Sequence, residues 1–244
     1  MTDPNGSAIT DGTPYRATEA IGYGWRKFKA SPGTLLVPMI VVLIVLVAVS
    51  LIFTFVAGGG FFGKTQCETG NLNGQVTTDC GQPFWRQLLG TGLGAGLISL
   101  FAQIMLAGIF RGALRVIDGE GFSLGELFEG YNKMQVVFAA IFIALATGIA
   151  TVLCYLPGVL IAFLTSYTLF FIVDQQLEAA EAIQASVKMV WHNFGHALVF
   201  FILAAICVAI GFVVLIVGLL VAVPVVVFGA AYTYRRLEGL PVGP

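Results

Sequence analysis

The chain has 244 residues, of which 58% are hydrophobic and 10% charged, with a net charge of -1 and a mean hydropathy of +0.93. Soluble domains carry about 25% charged residues, so this composition excludes a soluble globular protein and requires an integral membrane protein. The net charge carries little information, because membrane topology follows the placement of basic residues rather than their sum.

Residues Met1 to Ala17 mix Pro, Gly, Asn, Ser and Thr without periodicity and read as a disordered tail. An amphipathic segment follows, with Ile21, Trp25 and Phe28 on one face and Arg26, Lys27 and Lys29 on the other. Leu35 to Ala57 is the first apolar stretch. It begins too late and lacks a cleavage site, so it reads as a retained span rather than a signal peptide. Residues 58–84 form a loop holding Cys67 and Cys80, with twelve residues between them. Outside the cytoplasm such a pair is normally oxidised, and a bridge closing a loop of this size contributes about 3 kcal/mol. A metal site there would lack further ligands.

The second span, Leu88 to Phe110, opens with Gly90, Gly92, Gly94 and Gly96. A phosphate loop would need a preceding strand, which the pattern does not offer. In a bilayer, Gly92 and Gly96 make a small-residue notch for close helix approach, and Ser99 and Gln103 continue that face. A second amphipathic segment carries Leu124, Leu127, Phe128 and Tyr131, with Ser123 and Glu126 spaced as a capping box.

Val136 to Val173 and Ala197 to Tyr234 are each 38 residues without Asp, Glu, Lys or Arg. One straight helix of that length would measure about 57 Å at 1.5 Å per residue, against a hydrocarbon core of about 30 Å. Each run therefore predicts a hairpin of two spans. Leu156-Pro157-Gly158 supplies the first break, and the second is expected near Gly218. Between the runs lies a third amphipathic segment, with Ile183, Val187, Val190, Trp191 and Phe194 opposite Glu178, Glu181, Gln184 and Lys188.

The predicted fold is thus all-α and polytopic: six spans in three hairpins, each preceded by an amphipathic interfacial helix. Its boundaries are a tail at 1–17, a transmembrane domain at 18–238 and a second tail at 239–244. Glu-Ala-Ile recurs at Glu19 and Glu181, and a base follows seven residues after each, at Arg26 and Lys188. Lys133 follows Glu126 by the same seven, which suggests three copies of one unit. Arg16, Arg26, Lys27, Lys29, Arg111, Arg115, Lys133, Lys188, Arg235 and Arg236 fall on one side, leaving Lys64 and Arg86 on the other. That asymmetry predicts both termini in the cytoplasm. Trp25 and Trp191 are expected as interfacial anchors, with Arg26, Lys133 and Lys188 facing lipid headgroups.

The Leu-Pro-Gly break, the run Ile172-Val173-Asp174, then Glu181-Ala182-Ile183, Ser186, Trp191 and Phe194, and the closing Tyr234-Arg235-Arg236-Leu237 resemble six-span bacterial, actinobacterial-looking membrane proteins of uncharacterised activity. These are similar to the membrane-embedded region attached to some glycerophosphodiester phosphodiesterases. The resemblance implies a fold and a plasma-membrane location. It implies no activity, since the phosphodiesterase barrel is absent from these residues.

His192 and His196 have a spacing that suits a metal, but no third ligand is near them. Cys154 and Cys207 read as small buried residues. Thr165, Ser166, Tyr167 and Thr168 form a polar patch midway along the fourth span, and Thr147 and Thr151 lie on the third. No Asp, Glu, Lys or Arg lies inside a span, which disfavours ion-coupled transport, and no hydrolase or protease motif occurs. The expected role is a non-enzymatic scaffold or accessory factor. A channel or facilitator for a small neutral solute or lipid is the alternative, and a lipid-modifying enzyme the third reading. No cofactor or nucleic acid is expected. Expected partners are the bilayer and membrane proteins or a second copy.

Overall fold

The computed structural model describes residues 15–30, 32–55, 68–72, 75–79, 93–121, 124–153, 155–213 and 215–242. The chain is an all-α polytopic membrane protein, with one short β-hairpin added between the first two spans. Six helices are long and apolar enough to cross a bilayer: Pro32–Phe53, Gly96–Ile117, Lys133–Ala150, Leu156–Asp174, Phe194–Val213 and Gly218–Leu237. They are numbered here as spans 1 to 6. The chain divides into two compact units, Val42–Ala102 and the remainder.

Within Val42–Ala102, strands β1 (Glu68–Leu72) and β2 (Gln75–Asp79) pair antiparallel, from Glu68 opposite Asp79 to Leu72 opposite Gln75. No strand was expected in this loop. The legible signal is Asn73-Gly74 flanked by Val76, Thr77 and Thr78, since Asn-Gly is the strongest short-range hairpin signature.

The other unit begins with helix α1 (Ala17–Ala30), which leads into α2 (Pro32–Phe55). Helix α3 (Leu93–Ile117) contains span 2. Span 3 is α4 (Lys133–Leu153), and span 4 is broken into α5 (Tyr155–Leu164) and α6 (Thr168–Asp174). Then come α7 (Ala179–His192), α8 (Phe194–Val213) and α9 (Leu215–Leu237). Leu156-Pro157-Gly158, expected to break the run, lies within helix α5. Gly218, expected near the second break, lies within α9. Gly218 serves packing instead: a methyl on Gly211 would lie 2.8 Å from the Ala222 Cβ and 3.0 Å from the Gly218 carbonyl oxygen.

The three amphipathic segments differ from expectation in two ways. The middle one is a 3-10 helix of five residues, Leu124–Phe128, rather than an α-helix. The buried faces of the other two match the expected apolar faces only in part: Val190 is buried and Ile21, Phe28, Ile183 and Val187 are half-buried, but other residues make up the rest of the buried faces. In α1 they are Ala17, Ala20, Tyr23 and Gly24, while Trp25 is 43% exposed. In α7 they are Ala179, Ala182, Ser186, Met189 and Val190, while Trp191 is 64% exposed. A helix lying between protein and lipid has two apolar sides, and small residues mark the one that meets protein because they allow backbones to approach.

Each of these segments docks on the second span of the hairpin before it. The 3-10 helix sits on α3, so closely that a methyl on Gly108 would collide with the Leu127 carbonyl. Tyr131 fastens this contact, its hydroxyl reaching Ile104 O at 2.9 Å and Leu127 O at 2.8 Å. Helix α7 sits on span 4: Ser186 Oγ donates to Leu164 O at 2.8 Å and accepts from the Tyr167 N–H at 3.2 Å. Helix α1 docks instead on span 6. A methyl on Gly24 would collide with the Val225 carbonyl, and one on Gly229 would lie 3.1 Å from Ala20 O. The hydroxyls of Tyr15 and Thr233 bond at 2.9 Å. Tyr15 stands inside the stretch read as a disordered tail, and it is packed. The three contacts form a cycle, and that cycle supports the reading of three repeats.

The second spans also end alike. Asp118 and Glu238 close α3 and α9, each followed by a glycine with positive φ, Gly119 at 85° and Gly239 at 73°. Glu120 N–H bonds Arg115 O at 2.9 Å and Leu240 N–H bonds Arg235 O at 2.8 Å, the same closure 120 residues apart. In span 4 the acid is Asp174, with Gln176 at φ 54°.

Gly24→Ala should therefore force α1 off span 6 and cost about 1–3 kcal/mol. Gly22→Ala, where a methyl meets only the Arg26 side chain at 3.7 Å, should be neutral or stabilising. Thermal unfolding of both variants in detergent tests this, and equal melting temperatures would contradict the docked contact.

Candidate functional site

Among the described residues, polar chemistry concentrates where spans 2, 4 and 6 end together. Arg235 on α9 reaches Asp118 Oδ2 at 2.7 Å and Asp174 Oδ1 at 3.2 Å. The Tyr234 hydroxyl donates to Asp174 Oδ2 at 3.0 Å and accepts from Gln175 Nε2 at 3.0 Å. One helical turn back, Arg111 on α3 donates to Gly130 O and to Val173 O, the latter at 3.3 Å. Its cation thus sits at the C-terminal, negative end of the α6 dipole. Gly130 has φ 79°, and a methyl there would collide with the Arg111 guanidinium. Glycine is required on both counts.

Beneath this polar layer the three helices meet through aromatic rings. Phe110 stacks on Phe170 with centroids 4.3 Å apart, Phe170 stacks on Tyr234 at 5.4 Å, and Phe171 meets Tyr234 edge-on at 5.1 Å. Phe170, Phe171 and Tyr234 are fully buried.

The Arg235 side chain is 12% exposed and that of Asp174 16%, against 39% for Asp118. The Arg235–Asp174 pair is therefore the desolvated one, and removing one member of such a pair costs about 3–5 kcal/mol. Burial pushes the Asp118 carboxyl up, and the Arg235 charge only partly offsets it. Burial likewise raises Glu238, opposed by a hydrogen bond from Gln175. Burial pushes Tyr131 up to about 12, so its hydroxyl keeps the proton that it donates to carbonyls.

The residues singled out from the sequence are scattered relative to this site. Cys67, Cys80, Gly92, Cys154 and Ser123 lie outside the described residues. Gly96 and Ser99 are exposed, and a methyl on Gly96 would meet nothing within 4 Å. The close approaches are made instead by Gly24, Gly108, Gly211 and Gly229. Gln103 is half-buried. Arg26, Lys133 and Lys188 are exposed, and Lys133 lies over the Phe128 ring at 5.9 Å. Lys29 covers Trp25 at 5.0 Å, and Trp191 meets Phe194 edge-on at 6.2 Å.

His192 bonds Lys188 O at 2.8 Å, whereas His196 lies beyond the helix break at Asn193 with its ring against Tyr15 at 5.5 Å. Among the described residues no three His, Cys, Asp or Glu side chains are grouped for a metal. In span 4, Thr165 and Ser166 bond back to Ile161 O and Phe163 O, both at 2.8 Å. Thr168 Oγ1 is buried without a hydrogen-bond partner. Cys207 is half-buried with a free thiol.

Arg235, Asp174 and Asp118 were not foreseen as a site. Each was visible as a charged residue at a span end, but nothing in a linear sequence says that ends 61 and 117 residues apart converge.

No family model matches the chain, and no solved structure matches it. It is 28% identical over 224 residues to Uncharacterized protein Rv2560 of Mycobacterium tuberculosis strain H37Rv, which covers 91% of this chain and 68% of the relative. Uncharacterized protein Mb2590 of Mycobacterium bovis matches to the same extent.

The raised carboxyls give a sign for pH dependence. A carboxyl whose folded value lies above its unfolded value binds its proton more tightly when folded, so its contribution to stability is present at low pH and lost as pH rises through the folded value. For Glu238 that window opens at 4.5 and extends upward. Thermal stability in detergent should rise on acidification through this window, and Glu238→Gln should flatten the rise. An unchanged slope in the variant would remove Glu238 from the network.

Proposed function

We propose that this protein is a non-enzymatic scaffold or accessory factor of a bacterial plasma membrane, with both termini in the cytoplasm. The supporting observation is the junction of spans 2, 4 and 6, filled by stacked aromatics and closed by the Arg235–Asp174–Asp118 cluster. Such a junction makes a rigid platform, with its charges spent on internal contacts. The ten-to-two distribution of basic residues supports the orientation. Trp25 and Trp191, exposed beside Lys29 and Phe194, support interfacial anchoring. The partners would be membrane proteins or a second copy. The resemblance to the region attached to phosphodiesterases adds no chemistry to this reading.

One observation favours the facilitator reading. Span 4 is interrupted at residues 165–167, and Thr168 Oγ1 is buried without a partner beside the break. Interrupted spans with unsatisfied polar groups line solute sites in many transporters.

Affinity purification from the native membrane separates the two. A scaffold should carry a stoichiometric membrane-protein partner, abolished by no single change at Thr168. Flux of a small neutral solute through proteoliposomes that falls on Thr168→Val, with no partner recovered, would sink the scaffold reading.

We also propose that the loop hairpin is closed by a Cys67–Cys80 disulfide. Every pair in the β1–β2 register sums to 147, and continuing it by one residue opposes Cys67 to Cys80. Peptide mass spectrometry without reductant should recover the crosslinked pair. Two free thiols in protein from the native host would refute it.

A further inference from the structure

A cleft of about 460 Å³ opens where α1 passes into α2 and α3 ends, lined by Lys27, Ala30, Thr34, Val116 and the turn Gly119–Gly121. Ligand pockets run from roughly 300 to 1,000 Å³, so a small headgroup fits. Span 1 begins at Pro32 and span 2 ends at Ile117, which sets the cleft at the boundary between hydrocarbon and headgroups.

Its walls carry opposite charges. Lys27 stands on one side, 5.8 Å from the Tyr23 ring centroid, and among the described residues no carboxylate is within ion-pair distance of it. Glu120 stands on the other. One of its oxygens is held by Arg115 Nε at 2.8 Å, which leaves the second to accept a hydrogen bond. Gly119 and Gly121 flank Glu120 in the chain and line the cleft with bare backbone, and a methyl on either would meet nothing within 4 Å. Thr34 adds a hydroxyl, while Ala30 and Val116 supply apolar surface.

We propose that this cleft binds the headgroup of a phospholipid that carries both a phosphate and a primary ammonium, as phosphatidylethanolamine does. The phosphate meets Lys27 and the Thr34 hydroxyl. The ammonium donates to the free oxygen of Glu120, and the acyl chains follow the apolar surfaces of spans 1 and 2. A quaternary ammonium cannot donate a hydrogen bond, and a headgroup with phosphate alone leaves Glu120 facing an anion. The chemistry therefore selects the zwitterion with N–H donors. This site is independent of whether the protein acts as a scaffold or a facilitator.

Native mass spectrometry of delipidated protein, titrated with phosphatidylethanolamine, phosphatidylcholine and phosphatidylglycerol of identical chains, tests it. Phosphatidylethanolamine should be retained about tenfold better than either, as expected for one charge-assisted hydrogen bond. Lys27→Ala and Glu120→Gln should each abolish the preference, and Lys29→Ala should keep it. If either variant melts much lower than the parent, Lys27→Arg and Glu120→Asp must restore the preference. Equal retention of the three lipids overturns the proposal, as does a preference that survives Lys27→Ala and Glu120→Gln. Tighter binding of phosphatidylglycerol that is indifferent to Glu120 would make this a simple anion site and overturns it too. So would water-soluble phosphoethanolamine binding as tightly as the lipid, which would make the ligand a free headgroup.

Discussion

In a bilayer, helices gain nothing by hiding apolar surface from one another, because lipid tails are as apolar as leucine. Association must come from close backbone approach and from polar groups that find partners. This chain meets that constraint three times with one device. A short segment at the membrane surface presses a small-residue face, or a bare carbonyl, against the second span of the preceding hairpin. Gly24 against Val225, Leu127 against Gly108 and Ser186 against Leu164 are versions of that contact. The arrangement closes because α1 occupies on span 6 the place that the 3-10 helix and α7 occupy on spans 2 and 4.

The second spans gain partners on both sides and become the interior. In the window of span 4 or span 6, 44% of residues are buried, against 17% for span 3 or span 5. Once inside, they can carry the residues that lipid would penalise. Arg235 and Asp174 are tolerable there because each neutralises the other, while the Tyr234 hydroxyl, itself held by Gln175, donates to Asp174; the Arg235 Nε is left buried without a hydrogen-bond partner among the described residues. A buried pair of this kind adds little net stability, but it penalises any arrangement of the three helix ends that separates its members.

The class, the six spans and the hairpin pairing were legible from uncharged runs, because bilayer thickness fixes helix length. The basic span ends were legible too, as charges cannot sit deeper. Helix faces were read less well. In α1 and α7 the hydrophobic pattern singled out Trp25 and Trp191, which are exposed, whereas Ala20, Gly24, Ala182 and Ser186 meet protein. Periodicity measures apolarity, and both surfaces of such a helix are apolar, so only residue size separates them. The β-hairpin was missed although Asn73-Gly74 marked it. The Arg235 cluster was beyond reach, since convergence of three span ends is a tertiary fact.

The cyclic docking sets an order of events during synthesis. Helix α1 is made well before its docking surface on span 6, since Tyr15 and Thr233 are 218 residues apart. At about 5–20 residues per second, α1 waits on the order of tens of seconds for its partner. Throughout that delay its small-residue face is uncovered, and its large-residue face, with Trp25 and the flanking lysines, holds it at the membrane surface. The outward tryptophan thus serves the unfinished chain as much as the finished one: it keeps α1 parked at the right depth until span 6 arrives.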